Sequence, residues 1–179
     1  MKEIAFVVGI GAVACFALSY LQRDRKAIVL LALISRMLYI AQYLLLGAFA
    51  GAVLDVLSAI SIALAQNKDK GFVKNHRLPV FFATNIAIVS AGITLALTVD
   101  GWLGILPMMG VLLQTDALWL KRERNIRITS ISGCPFWFAY NLIVCAYASV
   151  VGDVLSFVSL TVSLIRYDVL KIPAKEGDK

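Results

Sequence analysis

Long apolar runs alternate with short polar or basic turns along almost the whole chain, and this alternation is the first thing the sequence offers. Crossing the hydrocarbon core of a bilayer takes about 20 apolar residues as a helix, with a range of about 17–25. Seven runs approach or meet that length: Ile4–Leu21, Ala27–Leu46, Ala50–Ala65, Pro79–Val99, Trp102–Leu120, Ile128–Ala148 and Ser149–Ile165. The third and seventh are short and carry one aspartate each, so hydropathy alone ranks them lowest. The pattern predicts an all-α, polytopic membrane helix bundle of seven transmembrane helices.

Composition agrees. Hydrophobic residues make up 60% of the 179 and charged residues 16%, against about 25% charged in a soluble domain. Mean hydropathy is +0.85. The net charge of +6 would suit a nucleic-acid partner, but the basic residues are not gathered into one patch. They fall in four clusters: Arg23, Arg25 and Lys26; Lys68, Lys70, Lys74 and Arg77; Lys121, Arg122, Arg124 and Arg127; and Arg166, Lys171, Lys175 and Lys179. The connections around Gly47–Phe49, Asp100–Gly101 and Tyr147–Ser149 contain no Lys or Arg. By the positive-inside rule the clusters are cytoplasmic and the bare connections external. That requires an odd number of spans, an external N-terminus and a cytoplasmic C-terminus. The charge is thus a topology signal, and the expected partner is the lipid bilayer, with no nucleic acid. Met1–Ser19 has the length of a signal peptide, but its positive charge follows the apolar run, against the signal-peptide order.

An internal repeat divides the bundle. Ala48–Ser61 and Ala146–Ser159 are identical at eight of fourteen positions, including an intramembrane D-V-L-S, at an offset of 98 residues. The same offset lays Arg23–Lys26 on Lys121–Arg124 and Tyr39 on Trp137. The expected organisation is a three-helix repeat over residues 1–67, a cytoplasmic loop and linker helix over 68–100, a second repeat over 101–168 and a cytoplasmic tail over 169–179. Two units of three spans joined by one helix enter the membrane in the same sense, so they are parallel repeats about an axis along the membrane normal. Small residues in the spans (Gly9, Gly11, Ala12, Ala14; Ala48, Ala50, Gly51, Ala52) favour close helix packing. Pro107 and Pro135 lie in spans five and six as candidate hinges or bends.

Four ionisable residues stand inside the apolar runs: Arg36, Asp55, Asp116 and Asp153. Such residues cost about 2.5–3.5 kcal/mol each at a helix centre on insertion scales and face the bundle interior or water. Asp116 lies near the cytoplasmic end of its span, within reach of the interface or Lys121. Asp55 and Asp153 are repeat-equivalent, and the single Arg36 cannot compensate both. With Trp137, Tyr140 and Asn141, which share one helix face after Pro135, they form the candidate substrate-binding set for a small polar ligand. A purely structural role, an Arg–Asp pair fixing helix register, is the competing reading. Catalytic motifs are absent: no P-loop, H-E-x-x-H or G-x-S-x-G occurs. His76 sits alone in a basic loop, and Cys15, Cys134 and Cys145 show no paired spacing. The expectation is a non-enzyme with no cofactor and no metal, free to form a homo-oligomer without requiring one.

The basic turn after span one, L-L-L-G-A at Leu44–Ala48, L-P-M-M-G at Leu106–Gly110 and I-R-Y at Ile165–Tyr167 carry a resemblance to the YgjV-type family of bacterial inner-membrane proteins. In architecture the chain is also similar to the SWEET sugar carriers of the PQ-loop superfamily. There a W-x-x-Y-G element precedes one of two substrate-binding asparagines on the third and seventh helices. Trp137 and Tyr140 match that element with Asn141 in place of its glycine, and Asp55 and Asp153 stand where the asparagines would. The carriers' proline set is met only by Pro107 and Pro135, and no PQ dipeptide occurs. The resemblance implies a small-molecule transporter of the inner membrane, with a site between the repeats; a non-transporting accessory protein is the alternative.

Overall fold

The computed structural model describes residues 2–21 and 25–170; Gln22, Arg23 and the tail from residue 171 onward, with its expected cytoplasmic lysines, lie outside the described residues. All regular structure among the described residues is helical. The α-helices are α1 (Lys2–Leu21), α2 (Arg25–Leu46), α3 (Phe49–Gln66), α4 (Gly71–Asn75), α5 (Arg77–Thr98), α6 (Ile105–Ala117), α7 (Glu123–Ile143) and α8 (Tyr147–Ser163). A 3₁₀ turn over Gly101–Gly104 leads into α6, and a π-helical stretch over Leu164–Val169 extends α8. Each apolar run contains an α-helix, the shortest being α6 with 13 residues in the fifth run, and α4 is a short element of the linker. Phe49–Gln66, Arg77–Thr98 and Tyr147–Val169 are long and apolar enough to cross a membrane, and Leu33–Leu46 is a shorter apolar stretch.

Burial is inverted relative to a water-soluble protein. Large aliphatic side chains are exposed along the helices, Leu97 at 81% and Val7 at 68%, while small and polar residues are inside. Buried polar groups include Ser35, Gln42, Ser58, Ser61, Thr115, Asn141 and Ser149. In hydrocarbon the outward aliphatic groups are already solvated, so association relies on close packing of small residues and on interhelical hydrogen bonds. Gly92 approaches Met108 so closely that an added Cβ would lie 2.6 Å from its side chain. The main core gathers Tyr43, Leu54, Ile88, Met108, Val111, Trp137 and Tyr140, with Ala48, Ala50, Ala52 and Ala146 in the gaps.

The helix contacts repeat. Helix α1 packs on α2 as α6 packs on α7, α2 on α3 as α7 on α8, and α1 on α8 as α6 on α3. Helix α5 lies against α3 and α6 and stands outside this scheme. The two tight hairpins match atom for atom. In the first, the amides of Gly47 and Ala48 donate to the carbonyls of Leu44 and Tyr43 (3.2 and 2.9 Å). In the second, the amides of Cys145 and Ala146 donate to Leu142 and Asn141 (3.3 and 2.8 Å). Both close a helix through a left-handed residue, Gly47 at φ 71° and Cys145 at φ 59°. The turn at Cys145 also ends the sixth apolar run earlier than its hydropathy suggests: α7 stops at Ile143, and Tyr147–Ser149 opens α8 rather than forming the connection. A side chain at left-handed φ is strained by about 1 kcal/mol, so Cys145→Gly should raise the unfolding free energy by that amount. Thermal unfolding in detergent checks it; an unchanged or lower midpoint would contradict the strain.

At the opposite end the linker is pinned. Lys68 Nζ donates to the carbonyls of Leu118 (2.7 Å) and Leu120 (3.3 Å), and Arg77 donates to that of Trp119 (3.1 Å). Cations at the open carbonyls of a helix C-terminus are favourably placed. Val73 of α4 packs with Ala65 and Trp119 beneath them. Nearby Arg127 pairs with Asp168 at 2.6 Å, joining the N-terminal part of α7 to the π-helical stretch after α8.

Candidate functional site

Every candidate binding residue comes from α2, α3, α7 or α8, the helices of the two hairpins. Asp55 lies two turns into α3 and Asp153 two turns into α8, because both follow their hairpins at the same distance. Their surroundings differ. Asp55 is buried and accepts from the Arg36 guanidinium of α2. Arg36 keeps 33% of its side-chain surface against 8% for Asp55. At the position matching Arg36 the second half has Cys134, whose Sγ donates to the Ser130 carbonyl at 3.5 Å. Asp153 therefore has no arginine from its own half. It accepts from Asn141 Nδ2 at 2.7 Å.

Asn141 is held from its other side by Tyr43, whose hydroxyl donates to Asn141 Oδ1 at 2.9 Å. Tyr43 and Asn141 are 98 residues apart, the offset of the internal sequence similarity. Two further contacts flank the pair. The Gly51 amide donates to the Tyr140 hydroxyl at 2.9 Å, and Ser149 Oγ donates to Gln42 Oε1 at 2.9 Å. The same offset turns Gly51 into Ser149 and Gln42 into Tyr140, so these are two versions of one contact. Tyr43 stacks on Trp137 with ring centroids 6.2 Å apart, and Trp137 meets Tyr140 edge-on at 6.3 Å. Tyr43 lies within electrostatic reach of both Asp55 and Asp153.

Of the expected residues, Arg36, Asp55, Asp153, Trp137, Tyr140 and Asn141 are brought to this region. The three residues Trp137, Tyr140 and Asn141 are buried. Pro107 is not in a helix interior. It occupies the first turn of α6, where the N–H that proline lacks has no intrahelical partner. Pro135 is inside α7, where it removes one rung of the backbone ladder. Asp116 accepts from Asn85 Nδ2 of α5 at 3.0 Å, which ties α5 to α6. Sequence reasoning passed over Gln42, Tyr43, Gly51 and Ser149. The signal was present, because applying the repeat offset to Tyr140-Asn141 gives Gln42-Tyr43. Asp100 was also missed; its carboxylate accepts from the Ala50 amide at 2.6 Å, closing the N-terminus of α3. Among the described residues no three His, Cys, Asp or Glu side chains are grouped to hold a metal ion.

Neither the curated proteins nor the solved structures include a match to this chain. The architecture expected from the sugar carriers finds no support in these comparisons. The family comparison is positive: the model of Imp-YgjV, described as a bacterial inner membrane protein, matches residues 3–171. With apolar helices throughout, an inverted burial pattern and a match over nearly the whole sequence, the chain belongs to the Imp-YgjV family of bacterial inner membrane proteins.

Proposed function

We propose that the protein is a small-molecule transporter or facilitator. Seven spans are arranged as two parallel three-helix repeats about a linker helix, α5. The paired helix contacts, the twin hairpins and the meeting of Tyr43 with Asn141 support that arrangement. The positive-inside rule orients it with the two hairpins external and the pinned linker cytoplasmic. The bound molecule sits between the halves, facing Arg36, Asp55, Asp153 and Asn141.

One observation carries this reading. The central layer contains two carboxylates and one guanidinium, and Asp153 is held by a neutral amide instead of a cation. An intramembrane carboxylate without a counter-charge is expensive and marks pathways more often than packing. Asp153 offers an acceptor to the hydrogen-bond donors of a polar or cationic ligand, and Trp137 and Tyr140 supply an aromatic wall.

Uptake into proteoliposomes, screened with labelled small polar compounds, tests the proposal. A transported compound should be lost with Asp153→Asn and reduced with Asp55→Asn. Uptake untouched by both substitutions would sink the site assignment. A second reading, a non-transporting accessory protein, is favoured by the internal hydrogen bonding of Gln42, Tyr43, Asn141 and Ser149, which also serves simple packing. Its signature is the absence of uptake for any compound together with stable co-purification of one partner.

A further inference from the structure

Two basic turns lie side by side at the end of the bundle away from the hairpins. Lys68 Nζ bonds the carbonyls of Leu118 and Leu120, which brings Lys121 and Arg122 alongside the linker. Lys68 and Arg77 are engaged by carbonyls. Lys70 and Lys74 are not: both are exposed, and neither ammonium group has a partner among the described residues. Between them stands Phe72, 70% exposed and stacked on His76 with ring centroids 4.3 Å apart. Leu78, at the start of α5, is 68% exposed. An aromatic ring and a leucine this bare, set among cations, suit the boundary between lipid headgroups and acyl chains.

A cavity of about 190 Å³ opens on the outer surface between α3 and α5. Leu57 and Ile60 line it from α3, and Ala83, Thr84, Ala87 and Ile88 from α5. Ile88 is its buried floor, while Ile60, Ala83 and Ala87 are exposed at its mouth. The hydroxyl of Thr84 already donates to the Phe81 carbonyl at 2.9 Å, so the walls are apolar in effect. A polar solute finds nothing to bond there; a hydrocarbon chain does fit. A transmembrane helix does not, because one turn about 10 Å across and 5.4 Å long displaces more than this volume.

The spacing joins the two features. Ala83 and Ala87 lie six and ten residues beyond Arg77 on α5, or about 9 and 15 Å along the helix. Half the hydrocarbon thickness is about 15 Å. The groove therefore spans the depth of an acyl chain whose headgroup is level with the linker turn. Residues 68–77 carry Lys68, Lys70, Lys74 and Arg77 against Asp69 alone, a balance that favours an anionic headgroup over a zwitterionic one.

We propose that the linker turn and the α3–α5 groove together bind one anionic phospholipid from the leaflet on the linker side, its phosphate at Lys70 and Lys74 and one acyl chain along Ala83 and Ala87. The site is independent of the transport reading. Bound there, the lipid fills the space between α3 and α5 and fixes α4 at the membrane surface.

Native mass spectrometry of the full chain in detergent, titrated with dioleoyl phosphatidylglycerol or dioleoyl phosphatidylcholine, reads the occupancy of a first lipid. The anionic lipid should bind more tightly, and Lys70→Gln with Lys74→Gln should weaken it about thirtyfold, the loss expected for two cations at an anionic surface. Ala83→Leu with Ala87→Leu fills the groove and should weaken both lipids about tenfold. All four residues are exposed, and the unfolding midpoint without added lipid checks that the variants fold. Equal binding of the two lipids by the unsubstituted chain would overturn the proposal, and that arm needs no variant. Glycerol 3-phosphate displacing the lipid at equal concentration would overturn it in favour of a free-phosphate site. Lysine variants that weaken binding while the groove variants leave it unchanged would overturn it in favour of a general surface attraction. Groove variants that split a dimer but leave lipid binding intact would give the groove to a second copy, and would overturn it too.

Discussion

Asp55→Ala is expected to lower the unfolding free energy by about 3 kcal/mol. The substitution strands the Arg36 guanidinium, whose only described carboxylate partner is Asp55, near the middle of α2. Removing one member of a buried pair costs about 3–5 kcal/mol when the other charge stays buried. A lone arginine at a helix centre costs about 2.5–3.5 kcal/mol on insertion scales. The lower end applies because Arg36 keeps a third of its surface, and its long stem lets the charge reach toward water. Replacing both partners by leucine should lose far less than either the sum of the single changes or Asp55→Ala alone. Asp153→Ala makes a graded comparison, since it strands only the Asn141 amide, at about 1–3 kcal/mol. Unfolding by SDS titration from mixed micelles reads all of these. Equal losses for Asp55→Ala and Asp153→Ala would mean that the Arg36 pairing contributes nothing beyond a hydrogen bond.

Gly110→Ala is expected to cost about 2–3 kcal/mol through overpacking, although alanine is the better helix former. A Cβ at Gly110 would stand 2.6 Å from Trp137 Cδ1 and 2.9 Å from its Nε1. The indole cannot retreat, because it is 6% exposed and stacked against Tyr43. The repeat supplies the rescue. At the matching positions the first half has Ala12 and Tyr39, a larger small residue with a smaller ring. Gly110→Ala with Trp137→Tyr should therefore recover much of the loss, as a double-mutant cycle in the same unfolding assay would show. Additive losses would mean that the ring and the glycine are not coupled.

Much of the fold is written in local pattern. Each apolar run contains a helix because backbone groups in hydrocarbon must bond within their own segment, so hydropathy and secondary structure coincide. Helix ends were harder to read. The sixth run continues apolar through Cys145 and Tyr147, and only the left-handed residue at Cys145 breaks it. Glycine at Gly47 announces the equivalent turn in the first half; cysteine in the second does not. Likewise α4 is too short and polar to show a period, and it is held by Val73 packing on Trp119.

The site was legible in half. Burial of a charge in an apolar run is costly enough to pick out Arg36, Asp55 and Asp153 from composition and spacing alone. The repeat identified the two aspartates as equivalents. What the sequence could not assign was partnership. One arginine faced two equivalent carboxylates, and only the packing of α2 against α3 gave it to Asp55. Asp153 went to Asn141, a residue noticed for its aromatic neighbours and not for its amide. Tyr43, the residue that meets both halves, carries no charge and sits in an unexceptional L-Y-I-A-Q-Y-L-L-L stretch.

By itself, then, the sequence determined the membrane setting and the helical class, and it carries the identities at a 98-residue spacing. These follow from solvation and from identity at a fixed spacing, both of which can be read one residue at a time. Tertiary structure alone decided which equivalents meet. Contact between Tyr43 and Asn141, or between Gly51 and Tyr140, depends on where two halves come together, and no local period encodes that.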